Sequence, residues 1–125
     1  MLIELDHQDD VCILRLKGRL VSGTDPDYLR AKAAEIKSHS CNKVLADLRE
    51  LLFIGSTGIG FLVGIYTSVT KSPGGRFVLV APSRRVREVL DITRLSTVIP
   101  LVSDIASGLD ALRGEGSAAR SAGKG

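Results

Sequence analysis

Tryptophan is absent, and aromatic residues make up only 4% of the 125 residues. That scarcity argues against a stacking platform for single-stranded nucleic acid. No apolar run approaches the ~20 residues that a membrane-spanning helix needs. The N-terminus shows neither the basic n-region nor the apolar h-region of a secretory signal. The formal net charge of +3 is too mild to mark a nucleic-acid groove, and part of it comes from Arg120 and Lys124. Only two cysteines occur, Cys12 and Cys41. Without a signal segment they predict free thiols in a reducing compartment, hence a cytoplasmic protein, not a disulfide framework.

What remains is an ordinary globular composition, 44% hydrophobic and 25% charged, in a chain long enough for one domain with its own core. Leu2–Leu5 and Val11–Lys17 alternate and predict an antiparallel strand pair, with His7 in the polar turn between them. Thr24-Asp25-Pro26 starts a helix that carries Leu29, Ala33 and Ile36 at helical spacing to about Ser38. Val44–Leu48 predicts a buried strand, resumed at Leu52–Ile54. Lys71–Gly75 is a turn by composition, and Phe77–Val80 is another buried strand. Ser83 caps a short helix with Val86, Val89 and Leu90 inward. Thr97–Leu101 predicts a final strand, and Ser103 caps a last helix with Ile105, Leu109 and Leu112 on one side. The predicted order is ββαβαβαβα, an α/β domain over residues 1–113 with a mixed, mostly parallel sheet. Residues 114–125 form a tail rich in Gly, Ser and Ala, too polar to order itself.

The chain is organised around Leu51–Gly60. An apolar run too short for a helix ends at Gly55, and Ser56-Thr57-Gly58-Ile59-Gly60 follows. Gly55 permits a sharp turn and Ser56 is a good N-cap, so a strand hands over to a helix here. Added negative charge is favoured beside the free N–H groups of such a helix start. The helix is expected to run to about Thr70. Its inward side carries Ile59, Leu62, Val63, Tyr66, Val69 and, at the margin, Ile65. Its other side holds only small uncharged residues: Ser56, Thr57, Gly60, Gly64, Thr67 and Ser68. Solvated helix faces usually carry Lys and Glu, and each glycine weakens a helix by about 1 kcal/mol relative to alanine. Such a face is either a second packing contact or a docking surface, with Phe61 as an anchor at its edge.

Catalytic and ligand-binding patterns fail on particular residues. A phosphate loop of the G-x-x-x-x-G-K type needs Lys after Gly60, where Phe61 stands, and the dinucleotide fingerprint begun at Gly58 needs Gly where Val63 stands. A nucleophile elbow around Ser56 needs Gly in place of Ile54. His39 beside Cys41 hints at a metal, but no second pair supports a four-ligand site. No cofactor and no catalytic residue is expected. Arg84, Arg85 and Arg87 cluster on the short third helix; a solvated face explains them, and an acidic partner is the alternative.

At Ile54-Gly55-Ser56-Thr57-Gly58-Ile59-Gly60 the chain resembles the STAS family, the domain of anti-sigma factor antagonists. Asp47-Leu48, Gly74-Gly75 and Asp91-Ile92-Thr93-Arg94-Leu95 extend the resemblance over roughly residues 3 to 112. The resemblance implies a single STAS-like fold and a partner switch. The unmodified protein binds an anti-sigma factor that is also a serine kinase. Phosphorylation of a loop serine breaks that complex, and a phosphatase resets it. Ser56 matches the phosphorylated serine, with Thr57 as second candidate. Gly55, Ser56, Thr57, Gly58, Gly60, Phe61 and Gly64 would form the partner surface. No direct contact with nucleic acid or insertion into a membrane is implied. Two departures stand out. Gly55 replaces the usual Asp, and Arg19 and Val21 occupy positions where the family tends to be acidic. An unmodified interaction or scaffold module in a sensory or transport assembly is the alternative reading. A small-molecule or nucleotide binder is a more distant one.

Overall fold

Antiparallel strands β1 (Leu2–Gln8) and β2 (Val11–Leu20) begin a sheet that continues in parallel through β3 (Lys43–Ile54), β4 (Arg76–Val80) and the two-residue β5 (Leu101–Val102). The spatial order is β1-β2-β3-β4-β5. Helices α1 (Pro26–Ser38), α2 (Ser56–Thr70), α3 (Arg84–Ile92), α4 (Leu95–Val98) and α5 (Ile105–Arg113) complete the chain order. This is a computed structural model, and it describes residues 2–8, 10–20, 26–39 and 41–113. The proposed helix-start residues Thr24 and Asp25, and the tail from 114, lie outside the described residues.

Both faces of the sheet are covered, which is why the central strands read as near-continuous apolar runs. One core joins Ile3, Leu14, Leu16, Ala46, Leu48 and Leu79 from the strands to Leu29, Ile36, Leu62, Ile65 and Leu90 from α1, α2 and α3. The other joins Val11, Ile13, Leu45, Val78 and Val80 to Ile105, Leu109 and Leu112 of α5. Leu14, Leu45, Leu48 and Leu79 have no exposed surface, and each such side chain is worth about 1.5–3 kcal/mol relative to exposure. Helix α5 approaches closely because Gly108 has no side chain: a Cβ there would lie 2.7 Å from Leu45 Cδ1.

Several expectations from the sequence need correction. Strand β3 is continuous, absorbing its irregularity as register shifts against β2 instead of breaking after Leu48. The strand expected over Thr97–Leu101 shrinks to Leu101–Val102, and Leu95–Val98 is helical. Arg94, with φ of 63°, turns the chain after α3, and the Ser96 hydroxyl donates to Asp91 Oδ1 at 2.7 Å. These local bonds outweigh the β-preference of Thr97, Val98 and Ile99. Asp104, not Ser103, stands immediately before α5 and accepts from Ser107 N at 2.7 Å. His7 lies in β1, opposite Cys12, and not in the turn. Its ring stacks on His39 at 4.8 Å.

The cysteines are also corrected: Cys12 and Cys41 are joined in a disulfide. Their spacing along the chain hid this, but the strand and the loop before β3 bring the two Cα atoms to 6.0 Å, within the usual range for a bridge. The expected free thiols are therefore absent from this structure.

Candidate functional site

The carboxyl ends of parallel strands β2 and β3 lie side by side, with Leu20 opposite Ile54, and the Ser56 loop leaves β3 there; β4 stops earlier, with Val80 opposite Asp47. Open α/β sheets commonly bind their ligands and partners at this end. Ile54 is fully buried and anchors the strand; Ser56, two residues on, is exposed. The handover differs from expectation in one detail. Gly55 is the N-cap, in extended conformation at φ −111° and ψ −166°, and its carbonyl accepts from Ile59 N at 3.0 Å. Ser56 is the first helical residue and does not cap. Its hydroxyl has no hydrogen-bond partner among the described residues. No acidic residue occupies the first turn, so the positive end of the helix dipole is uncompensated there.

Helix α2 sits rotated from the face read in the sequence. Gly58, Phe61, Leu62, Ile65 and Val69 are buried, while Val63 is exposed. Phe61 is therefore a core residue, not a surface anchor, and Gly58 faces inward with it. The exposed stripe is Ser56, Gly60, Val63, Gly64 and Thr67. These positions fall at i, i+4, i+7, i+8 and i+11, one side of a helix. Gly55 and Thr57 are half-buried. A groove of about 290 Å³ between α1 and α2 is lined by Thr57, Gly60, Gly64 and Ser68 on one side and by Leu29, Ala33 and Ile36 on the other. The smallness of the α2 residues keeps it open: a Cβ at Gly60 or Gly64 would meet nothing within 4 Å.

The flanks of the loop are charged. Asp47 is buried at 4% exposure upstream in β3. Burial pushes its carboxyl pKa up, but three hydrogen bonds from the Arg49 side chain, one from Arg49 N and the nearby Arg15 together hold it below the usual carboxylate value. On the other flank Arg19, at the end of β2, and Arg85, in the first turn of α3, both lie over the Phe53 ring, at 5.7 and 5.9 Å from its centre. Arg85 was visible in the sequence as part of a basic cluster, but no local pattern joined it to Arg19 or Phe53. That grouping exists only once the strands are side by side.

Arg84 and Arg87 are exposed on α3, and Arg87 pairs with Asp91 at 3.2 Å. The Ser96 hydroxyl and Arg87 hold the Asp91 carboxyl below its ordinary value. Among the described residues no group of three or more His, Cys, Asp or Glu side chains is arranged to hold a metal ion. No helix among them is long and apolar enough to cross a membrane.

Comparison with known proteins gives a consistent result. The family model described as the STAS domain matches residues 3–108. The anti-sigma F factor antagonist of Paenibacillus polymyxa is 29% identical over 111 residues, covering 88% of this chain and 93% of that protein. The crystal structure of an anti-sigma factor antagonist from Thermotoga maritima superposes with a TM-score of 0.80 at 27% identity, covering 89% of this chain and 94% of the other. The Bacillus cell fate determinant SpoIIAA, solved in its phosphorylated form, shares the fold with a TM-score of 0.66 at 20% identity, over 89% of this chain and 99% of that one.

Proposed function

Because this chain belongs to the STAS-domain family, we propose that it is an anti-sigma factor antagonist that works by partner switching. In its unmodified state it binds an anti-sigma factor that is also a serine kinase. Transfer of phosphate to Ser56 ends that binding, and a phosphatase restores it. The chain acts by association, performs no catalysis itself and does not touch nucleic acid. Thr57 is the second candidate for modification.

The observation that carries this reading is the exposed Ser56 hydroxyl, free of partners among the described residues at the uncompensated start of α2. A phosphate there gains from the helix dipole and adds about −1.5 to −2 charges to the surface. The exposed Gly60, Val63 and Gly64 supply a neighbouring face without bulky polar side chains, on which a partner's backbone can lie close.

Gly55, in place of an acidic residue, favours one other reading, that of an unmodified interaction module. A kinase assay with the cognate anti-sigma factor on wild type, Ser56→Ala and Gly55→Asp separates the two. The extended Gly55 backbone accepts any side chain, so Gly55→Asp is expected to fold. Ser56→Ala should abolish incorporation, and Gly55→Asp should raise its rate by supplying a carboxylate to orient the serine. Label that survives in Ser56→Ala moves the site to Thr57. A wild type that binds the anti-sigma factor yet takes up no label supports the unmodified module instead.

A further inference from the structure

Arg15, Arg30, Arg49, Arg87 and Arg113 each pair with an aspartate. No carboxylate among the described residues pairs with Arg19, Arg84 or Arg85, although all three are exposed. Among the described residues Arg76 and Arg94 are also exposed and without a carboxylate partner; Arg19 and Arg85 differ from them in sharing one aromatic ring, and Arg84 adjoins Arg85. The Phe53 ring lies within cation–π range of both Arg19 and Arg85. Contact with the ring holds both guanidinium groups near it, and their N–H groups can form paired hydrogen bonds with a carboxylate.

Their position also runs against local electrostatics. Arg84 and Arg85 fill the first turn of α3, with no acidic residue there. The helix dipole is positive at that end and disfavours cations. Helix α2 starts nearby, likewise without an acidic residue in its first turn. Arg19 and Arg85 thus meet at Phe53, which shortly precedes Ser56 and the start of α2 in the chain, and Arg84 adjoins Arg85. This arrangement works against the isolated fold and fits an anionic partner.

We propose that this cluster is a receptor for carboxylates on an acidic protein surface, with Arg19 and Arg85, held near Phe53, as its two principal contacts. The inference rests on the functional reading above and specifies the chemistry of the partner: the anti-sigma factor that docks here presents Asp and Glu toward Phe53. The same cluster gives phosphorylation a direct effect. A phosphate on Ser56 adds negative charge to a surface whose positive charge attracts the partner.

The test is a titration of the full chain with the anti-sigma factor used in the kinase assay, in 50 and 300 mM NaCl. Wild type should lose at least tenfold in affinity over that range. The double variant Arg19→Glu/Arg85→Glu should lose at least tenfold at low salt. Arg76→Glu, an exposed change at the opposite end of β4, should match wild type, whereas Arg85→Glu alone, the same change of charge, should weaken binding. Circular dichroism verifies that each variant is folded. If wild type binds but is insensitive to salt, or the double variant binds no worse than Arg76→Glu, the acidic receptor is overturned and the functional reading survives. If no anti-sigma factor binds wild type, both fall. Binding of a DNA duplex that disappears in the double variant also overturns it, in favour of a nucleic-acid site.

Discussion

Gly75 and Val69 approach so closely that a Cβ on Gly75 would lie 1.9 Å from the Val69 carbonyl oxygen. The end of α2 is thereby folded tightly back toward β4, and the adjoining Gly74 takes a positive φ of 75° to complete the turn. The atom in the way is backbone, so it cannot rotate aside. Gly75→Ala should therefore destabilise the protein by ~3 kcal/mol, as overpacking of a fixed contact does. Urea unfolding of the two proteins measures this, and an unchanged midpoint would contradict the close approach.

The glycines of α2 should behave in the opposite way. Gly60 and Gly64 lie on the exposed side with open space where a Cβ would go. Gly64→Ala should stabilise the domain by about 0.5–1 kcal/mol through helix propensity alone. Gly60→Arg and Gly64→Arg should also fold but lose the partner, because a long side chain then stands on the proposed docking face. Thermal unfolding reads the first effect and titration with the anti-sigma factor the second.

Asp47 should dominate the acid side of the stability profile. Its folded pKa lies below the unfolded value of about 3.9. Its stabilisation is therefore present above that value and is lost as pH falls through the lower, folded one. Asp47→Asn should cost about 1–3 kcal/mol at neutral pH, the scale of hydrogen bonds to a charged group. It should also flatten the fall in stability below about pH 4. Urea midpoints at several pH values for both proteins give the comparison.

The disulfide closes a long stretch of chain, Cys12 and Cys41 being separated by 29 positions in sequence. Loop closure of that size constrains the unfolded chain by about 2–4 kcal/mol. Reduction with dithiothreitol should lower stability by that amount in wild type and leave a Cys41→Ser variant unaffected. A thiol assay of the unreduced, unfolded protein should detect no free thiol.

Legibility in the sequence followed the range of the interactions. The ends of α2 were readable because a Gly-Ser-Thr-Gly start and a Pro-Gly-Gly stop are local signals. Its buried face was misread because glycine carries no hydropathy. Gly58 turns inward, which places Phe61 in the core and Val63 outside. Ser103 and Asp104 are both good caps and adjacent, so composition could not choose between them. The disulfide, the stacked His7 and His39, and the arginines over Phe53 all join residues distant in sequence, and only strand pairing brings them together. At the site, the position and exposure of Ser56 followed from local pattern, whereas the charge around it did not.

The sheet's two faces are covered at different times as the chain is made. Helices α1 to α4 alternate with the strands they protect, so one face closes progressively during synthesis. Among the described residues the opposite face depends on α5, and Val11, Ile13, Leu45, Val78 and Val80 have no other helix over them until residues 105–113 have left the ribosome. A nascent chain paused before that point displays a nearly complete sheet with one bare apolar side, a surface on which partly made chains can stick to one another. For this protein the most aggregation-prone moment falls after β5 has emerged and before α5 has, and it is the helix packed through Gly108 that ends it.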